Sequence, residues 1–152
     1  MNCFVVSFSI LLFAGLGLSQ EKPVELPLKG NPPSASDYYN RGIAYRDRQN
    51  YKQAIDDFTK TIELDPNHLY AYTNRAHAFS MLMKYDEVIK DINKATELSS
   101  NDAWAYRIRG IAYKELRKFE LAKTDFEKAI ELGPGNATNY IYGSSLEFVG
   151  RI

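Results

Sequence analysis

The chain has 152 residues with 19 acidic and 19 basic side chains, so its formal net charge is zero. A neutral chain lacks the positive field that nucleic acid or an anionic membrane surface would require of a partner, and both are set aside. The length suits one small domain, and 11 Tyr and 8 Phe make it rich in aromatic rings.

The first element is apolar. No residue from Cys3 to Leu18 is charged, and polarity rises abruptly at Gln20-Glu21-Lys22. A bilayer-spanning helix needs about 20 apolar residues. This run is shorter, and Gly17 and Ser19 supply the small residues two apart that a signal peptidase accepts. Residues 1–19 are therefore expected to be a signal peptide cut after Ser19, which places the chain in a secreted or periplasmic compartment. The alternative is a membrane anchor through residues 3–18, because the segment before the apolar run carries no Lys or Arg. The only cysteine, Cys3, lies inside this segment, so the mature chain would have no thiol to pair in an oxidising compartment. Residues 20–34 follow with four prolines, Pro23, Pro27, Pro32 and Pro33, and little to bury. Proline fixes φ and restrains the residue before it, so this stretch is expected to be an extended linker.

From residue 35 the text repeats. Arg-Gly-Ile-Ala-Tyr occurs at residues 41–45 and again at 109–113, and the midpoint reads Arg75-Ala76-His77-Ala78-Phe79. The period is 34 residues. It holds for rings at Tyr38, Tyr72 and Tyr106, at Tyr45, Phe79 and Tyr113, and at Tyr51, Tyr85 and Phe119. It holds too for Asp57, Asp91 and Asp125, for Lys60, Lys94 and Lys128, and for the Glu-Leu pairs ending at Leu64, Leu98 and Leu132. Self-similarity at this period marks a solenoid, in which no unit can bury its apolar face alone. Within each unit the apolar residues keep helical spacing in two segments separated by a polar turn, such as Arg48-Gln49-Asn50 in the first. Asp65-Pro66-Asn67 and Gly133-Pro134-Gly135 close the first and third units, and Ser99-Ser100-Asn101-Asp102 closes the second.

These positions resemble the tetratricopeptide repeat (TPR), a 34-residue helix-turn-helix. The units are residues 35–68, 69–102 and 103–136. The first matches at Tyr38, Gly42, Tyr45, Ala54, Phe58 and Pro66, and the third at Tyr106, Gly110, Tyr113, Ala122, Phe126, Ala129 and Pro134. The second is looser. It keeps Tyr72, Ala76, Phe79 and Ala95 but has Val88, Ile92 and Ser100 where the family has Ala, Phe and Pro. The family's Leu is Arg in every unit, at Arg41, Arg75 and Arg109. The resemblance implies an all-α fold, a right-handed α-solenoid of three helix-turn-helix units. Residues 137–152 then read as a C-terminal capping helix or a partial fourth repeat. Gly42, Ala76 and Gly110 are expected where the two helices of a hairpin approach closely, with Tyr45, Phe79 and Tyr113 filling the space between helices.

Motifs of catalysis are missing from the sequence. It has no glycine-rich phosphate loop, no His-Glu-x-x-His and no cysteine pair, and its two histidines, His68 and His77, do not have metal-ligand spacing. No enzyme activity, cofactor, metal or small-molecule substrate is expected. His68 is expected to be solvated in an inter-repeat turn. Asn136-Ala137-Thr138 is a formal N-glycosylation sequon.

What the resemblance implies instead is a protein or peptide partner, held on a concave surface lined by the first helix of each unit. Taking the second, fifth, sixth and ninth residues of each unit as lining gives an aromatic and aliphatic groove. The candidates are Tyr39, Ile43, Tyr70, Asn74, His77, Trp104, Arg107, Ile108, Ile111 and Tyr142. Ile43 and Ile111 have no packing duty that the repeat requires, and Trp104 is the sole Trp. Heat-shock co-chaperones of this family grip a C-terminal carboxylate with two Lys, two Asn and an Arg. Those positions here carry Tyr39, Ile43, Asn74, Trp104 and Ile108, so only the Asn at 74 survives and that clamp is not expected. Two functions stay open: an interaction module that captures an extended or helical segment, or a structural scaffold acting by self-association or through its convex face.

Overall fold

The computed structural model describes residues 27–28 and 31–134. The expected signal peptide, most of the linker, the capping segment 137–152 with Tyr142, and the sequon at Asn136 lie outside the described residues. The described part contains six helices and no strand: α1 (Ala35–Asp47), α2 (Tyr51–Leu64), α3 (Leu69–Met81), α4 (Tyr85–Leu98), α5 (Ala103–Glu115) and α6 (Phe119–Leu132). They pair as three hairpins, α1 with α2, α3 with α4 and α5 with α6, and each hairpin packs on the next. The fold is the α-solenoid that the period implies.

Local chemistry sets the boundaries. Ser34 opens α1 with a capping box: its Oγ accepts from Asp37 N at 3.2 Å, and its own N donates to Asp37 Oδ2 at 2.9 Å. Asp102 caps α5 by accepting from the amides of Trp104 and Ala105. The helix starting at Leu69 is capped by an imidazole, since His68 Nδ1 accepts from Ala71 N at 3.2 Å. His68 also stacks on Tyr39, with centroids 4.5 Å apart, so the expectation of a merely solvated side chain is corrected. Its ring sits over the neighbouring hairpin and satisfies a helix amide at once.

The three hairpin turns are copies of one another. Gln49, Met83 and Arg117 adopt left-handed φ of 61°, 58° and 59°. In each turn the following amide reaches back to a carbonyl five residues earlier, Asn50 to Tyr45, Lys84 to Phe79 and Lys118 to Tyr113. This closing pattern usually carries Gly at the left-handed position. Here a side chain is borne there three times.

Inside each hairpin a guanidinium grips a carboxylate. Arg41 donates through Nε and Nη2 to the two oxygens of Asp57, both at 2.7 Å. Arg75 does the same to Asp91 at 2.8 and 2.7 Å, and Arg109 to Asp125 at 2.7 Å twice. The three carboxylates are buried. The arginines lie over flanking rings, with Arg41 near Tyr38 and Tyr45, Arg75 near Tyr72 and Phe79, and Arg109 near Tyr106. Nη1 then reaches the preceding hairpin: Arg75 donates to Thr59 Oγ1 at 3.0 Å and Arg109 to Asn93 Oδ1 at 2.7 Å. The Arg that replaces the family's Leu is therefore a joint within and between repeats.

Close approach is the second constraint. A methyl group at Gly42 would lie 2.7 Å from Phe58 Cε1, and one at Gly110 would lie 2.7 Å from Phe126 Cε1. The second hairpin has Ala76 and Ile92 at these positions, both fully buried in one apolar cluster. Its apparent looseness is a small-for-large exchange that conserves the fit. We expect Gly42→Ala to cost about 1–3 kcal/mol through overpacking against Phe58. Adding Phe58→Ile should recover part of that loss, a favourable coupling readable by denaturant melts as a double-mutant cycle. Strictly additive costs would show that the two positions do not share one space.

Candidate functional site

Helices α1, α3 and α5 are the first helices of their hairpins, and α3 touches both of the others. Side chains on this face come from three separate units, so whatever the face binds is read by several repeats at once.

Among the described residues Tyr70 is the most open of the aromatic candidates, 59% exposed. Beside it the face is partly spoken for. Tyr39 packs on the cluster of Tyr45, Ala54 and Phe58 and its ring lies 5.9 Å from that of Phe58. Its hydroxyl accepts from Asn74 Nδ2 at 3.1 Å, and burial raises its pKa. Asn74 is a buried hub that also donates to the Tyr70 carbonyl at 2.7 Å and accepts from Arg46 Nη1. Arg46 is held in turn by Asp47 at 2.8 Å.

One turn further along α3, His77 faces Trp104 on α5 with centroids 5.7 Å apart, and Tyr51 on α2 at 6.5 Å, edge to face. Among the described residues its Nδ1 is buried and has no hydrogen-bond partner. Burial, then Arg46 and Arg107, push the imidazole below its ordinary pKa. Arg107 stands one turn after Trp104, and its Nε is likewise buried without an acceptor among the described residues. Two of the ten candidates thus end in a polar atom that the described protein leaves unsatisfied.

Several expectations need correction. Ile108 is 2% exposed and belongs to the core cluster with Ala76, Val88 and Ile92. Thr73, another lining position, is buried as well. The cause is the stacking itself: in the first unit the residue equivalent to Asn74 and Ile108 is Asn40, which is exposed because no hairpin precedes it among the described residues. Ile43 and Ile111 do have packing duties, against Phe58 and its neighbours and against Ala122 and Phe126. Trp104 is partly buried against the second hairpin's core, so truncating it would cost stability as well as any binding. Arg46 and Tyr51 border the site without standing at a lining position. Tyr51 belongs to the repeat frame, and Arg46 is not repeated on the period, where Ser80 and Lys114 stand.

No group of three His, Cys, Asp or Glu among the described residues could hold a metal, and no helix there is long and apolar enough to cross a membrane. What the face offers is a run of rings with amide, imidazole and guanidinium groups between them, suited to non-covalent contact with a polypeptide.

Comparison with known proteins gives the class a name. Family models of the tetratricopeptide repeat match residues 35–68, 58–90 and 103–136. The chain is similar to the first TPR of Spaghetti (RPAP3) bound to the HSP90 peptide SRMEEVD. Identity there is 32% with a TM-score of 0.75, over 78% of this chain and 97% of that one. It is similar also to the first TPR domain of human RPAP3, at 34% identity and TM-score 0.71, over 74% of this chain and 89% of that one. The Arabidopsis OM64 TPR domain aligns at 28% identity and TM-score 0.74, over 78% and 98%. No curated protein matches this chain. The chain belongs to the tetratricopeptide repeat family.

Proposed function

We propose that this protein is a non-enzymatic interaction module that binds an extended or helical segment of a partner protein along the face formed by α1, α3 and α5. The observation that carries this reading is Tyr70, an open ring on the middle repeat, beside Tyr39 and above the amide of Asn74, which donates to its carbonyl. Large aromatics left exposed in a multi-repeat face are typical anchors for a bound chain. Similar TPR domains solved with HSP90 and HSP70 peptides add support. The terminal-carboxylate grip is not proposed, since four of the five clamp positions carry Tyr39, Ile43, Trp104 and Ile108.

The test uses peptides selected on the full mature chain and the fluorescence of Trp104. Bound peptide should perturb that emission, and Tyr70→Ala should weaken binding by about 2 kcal/mol or more while leaving the melting temperature unchanged. Peptides that bind parent and variant alike would move the binding surface elsewhere. A scaffold role by self-association is the second reading, favoured by the exposed Leu64, Met81, Met83 and Leu121, none of which is a lining position. A mass that grows with concentration would support it.

We further propose export to a secretory or periplasmic compartment, on the apolar run from Cys3 to Leu18 and the small residues at Gly17 and Ser19. Intact mass of material from its own host should lack residues 1–19 and show no thiol. A membrane-bound form retaining them would replace the signal peptide with an anchor.

A further inference from the structure

Arg46, His77 and Arg107 gather at one end of the face described above, and their donors outnumber their acceptors. Arg46 reaches from α1 across to Asn74, which lies one turn before His77 on α3. The His77 ring rests 5.7 Å from Trp104, and Arg107 follows Trp104 by one turn of α5. Three first helices from three repeats thus bring two guanidiniums within electrostatic reach of one imidazole, which itself lies against Trp104. Only Asp47, at the exposed end of α1, offsets Arg46 among the pairs formed here. The contrast with the arginines paired inside the hairpins is sharp: Arg41, Arg75 and Arg109 each hold two carboxylate oxygens, whereas Arg107 Nε and His77 Nδ1 are buried with no partner among the described residues. A buried donor without an acceptor costs about 1–3 kcal/mol, and more when charged. Such a site is stabilised by whatever brings a carboxylate to it.

We propose that the Arg46–His77–Arg107 end of the groove binds an acidic side chain within the partner segment, an internal Asp or Glu placed next to the residue that packs on Trp104. This rests on the groove reading above and adds the chemistry of its ligand. The groups involved are not the positions of the terminal-carboxylate clamp, so a free C-terminus is not required. Turning the Arg107 guanidinium toward the carboxylate gives Nε and Nη the paired geometry that arginine favours with carboxylates. His77 Nδ1 then becomes a donor to the same anion.

Protonation gives a second readout. The groups facing His77 are Arg46 from α1, Tyr51 from α2 and Arg107 from α5, and the two arginines join burial in lowering its pKa. A bound carboxylate offsets them and raises the imidazole's pKa, so binding takes up a proton. Affinity for acidic peptides should therefore rise as pH falls from about 7.5 to about 5.5, the range in which histidine titrates.

The experiment is selection of random peptides displayed on phage against the full mature chain, followed by binding of the synthetic winners with free and with amidated C-termini. Support would be enrichment of an internal Asp or Glu, indifference to amidation, a loss of about tenfold or more on Arg107→Glu, and recovery of that loss when the peptide's acid is changed to Lys. His77→Gln should flatten the pH dependence. Charge-swap recovery guards against a variant that merely unfolds, which its melting curve would also reveal. Winners without acidic enrichment that still depend on Tyr70 would overturn this inference and leave the groove reading standing. So would winners that need a free C-terminus. Winners indifferent to both Tyr70→Ala and Arg107→Glu, or no winners at all, would overturn both.

Discussion

An arginine held by two bonds to a buried carboxylate recurs once per repeat, as Arg41 with Asp57, Arg75 with Asp91 and Arg109 with Asp125, and the rest of the molecule is arranged around it. Bidentate pairing fixes direction as well as distance. It therefore dictates which turn of the first helix faces which turn of the second. A hairpin slipped by one residue would bury a carboxylate with no cation, a cost of several kcal/mol. Because Nη1 of Arg75 and Arg109 also reaches Thr59 and Asn93 on the hairpin before, the same group passes orientation from unit to unit. Apolar packing then completes the contact, with Gly42 and Gly110 letting Phe58 and Phe126 come close.

This division of labour leaves the face formed by the first helices free to vary. The periodic residues, the arginines, aspartates and packing rings, are committed to the fold. Residues off the period, such as Arg46, Tyr70, His77 and Trp104, differ from unit to unit and converge on one side because the joints place the first helices side by side. On the proposed reading, function is carried by what does not repeat. The nitrogens of His77 and Arg107 that have no partner among the described residues stand against a frame in which the repeated arginines are fully engaged.

The solenoid was legible in the sequence because spacing alone announces it: Asp57, Asp91 and Asp125 could be aligned without knowing what they touch. Their pairing with arginines sixteen residues earlier could not be read, since a period says which residues are equivalent and not which are neighbours across a turn. Lining positions were half legible. Tyr70 is exposed while Ile108 is buried, and counting along one helix ignores the hairpin that covers it. His68 was missed for a different reason. An imidazole is an uncommon helix cap, and nothing in the pattern Asn67-His68-Leu69 distinguishes an acceptor nitrogen from a solvated one.

A double-mutant cycle at the middle joint tests the dependence of the fold on these pairs. Asp91→Leu strips Arg75 of its carboxylate and should cost about 3–5 kcal/mol. Replacing Arg75 by Met as well removes the stranded cation, seats an apolar chain near Tyr72 and Phe79, and should restore most of that stability. Denaturant unfolding of the parent, both single variants and the double variant gives the coupling directly. If Asp91→Leu costs less than about 1 kcal/mol, as a surface pair would, or if the two changes simply add, the buried pair is not what sets the geometry of the repeat.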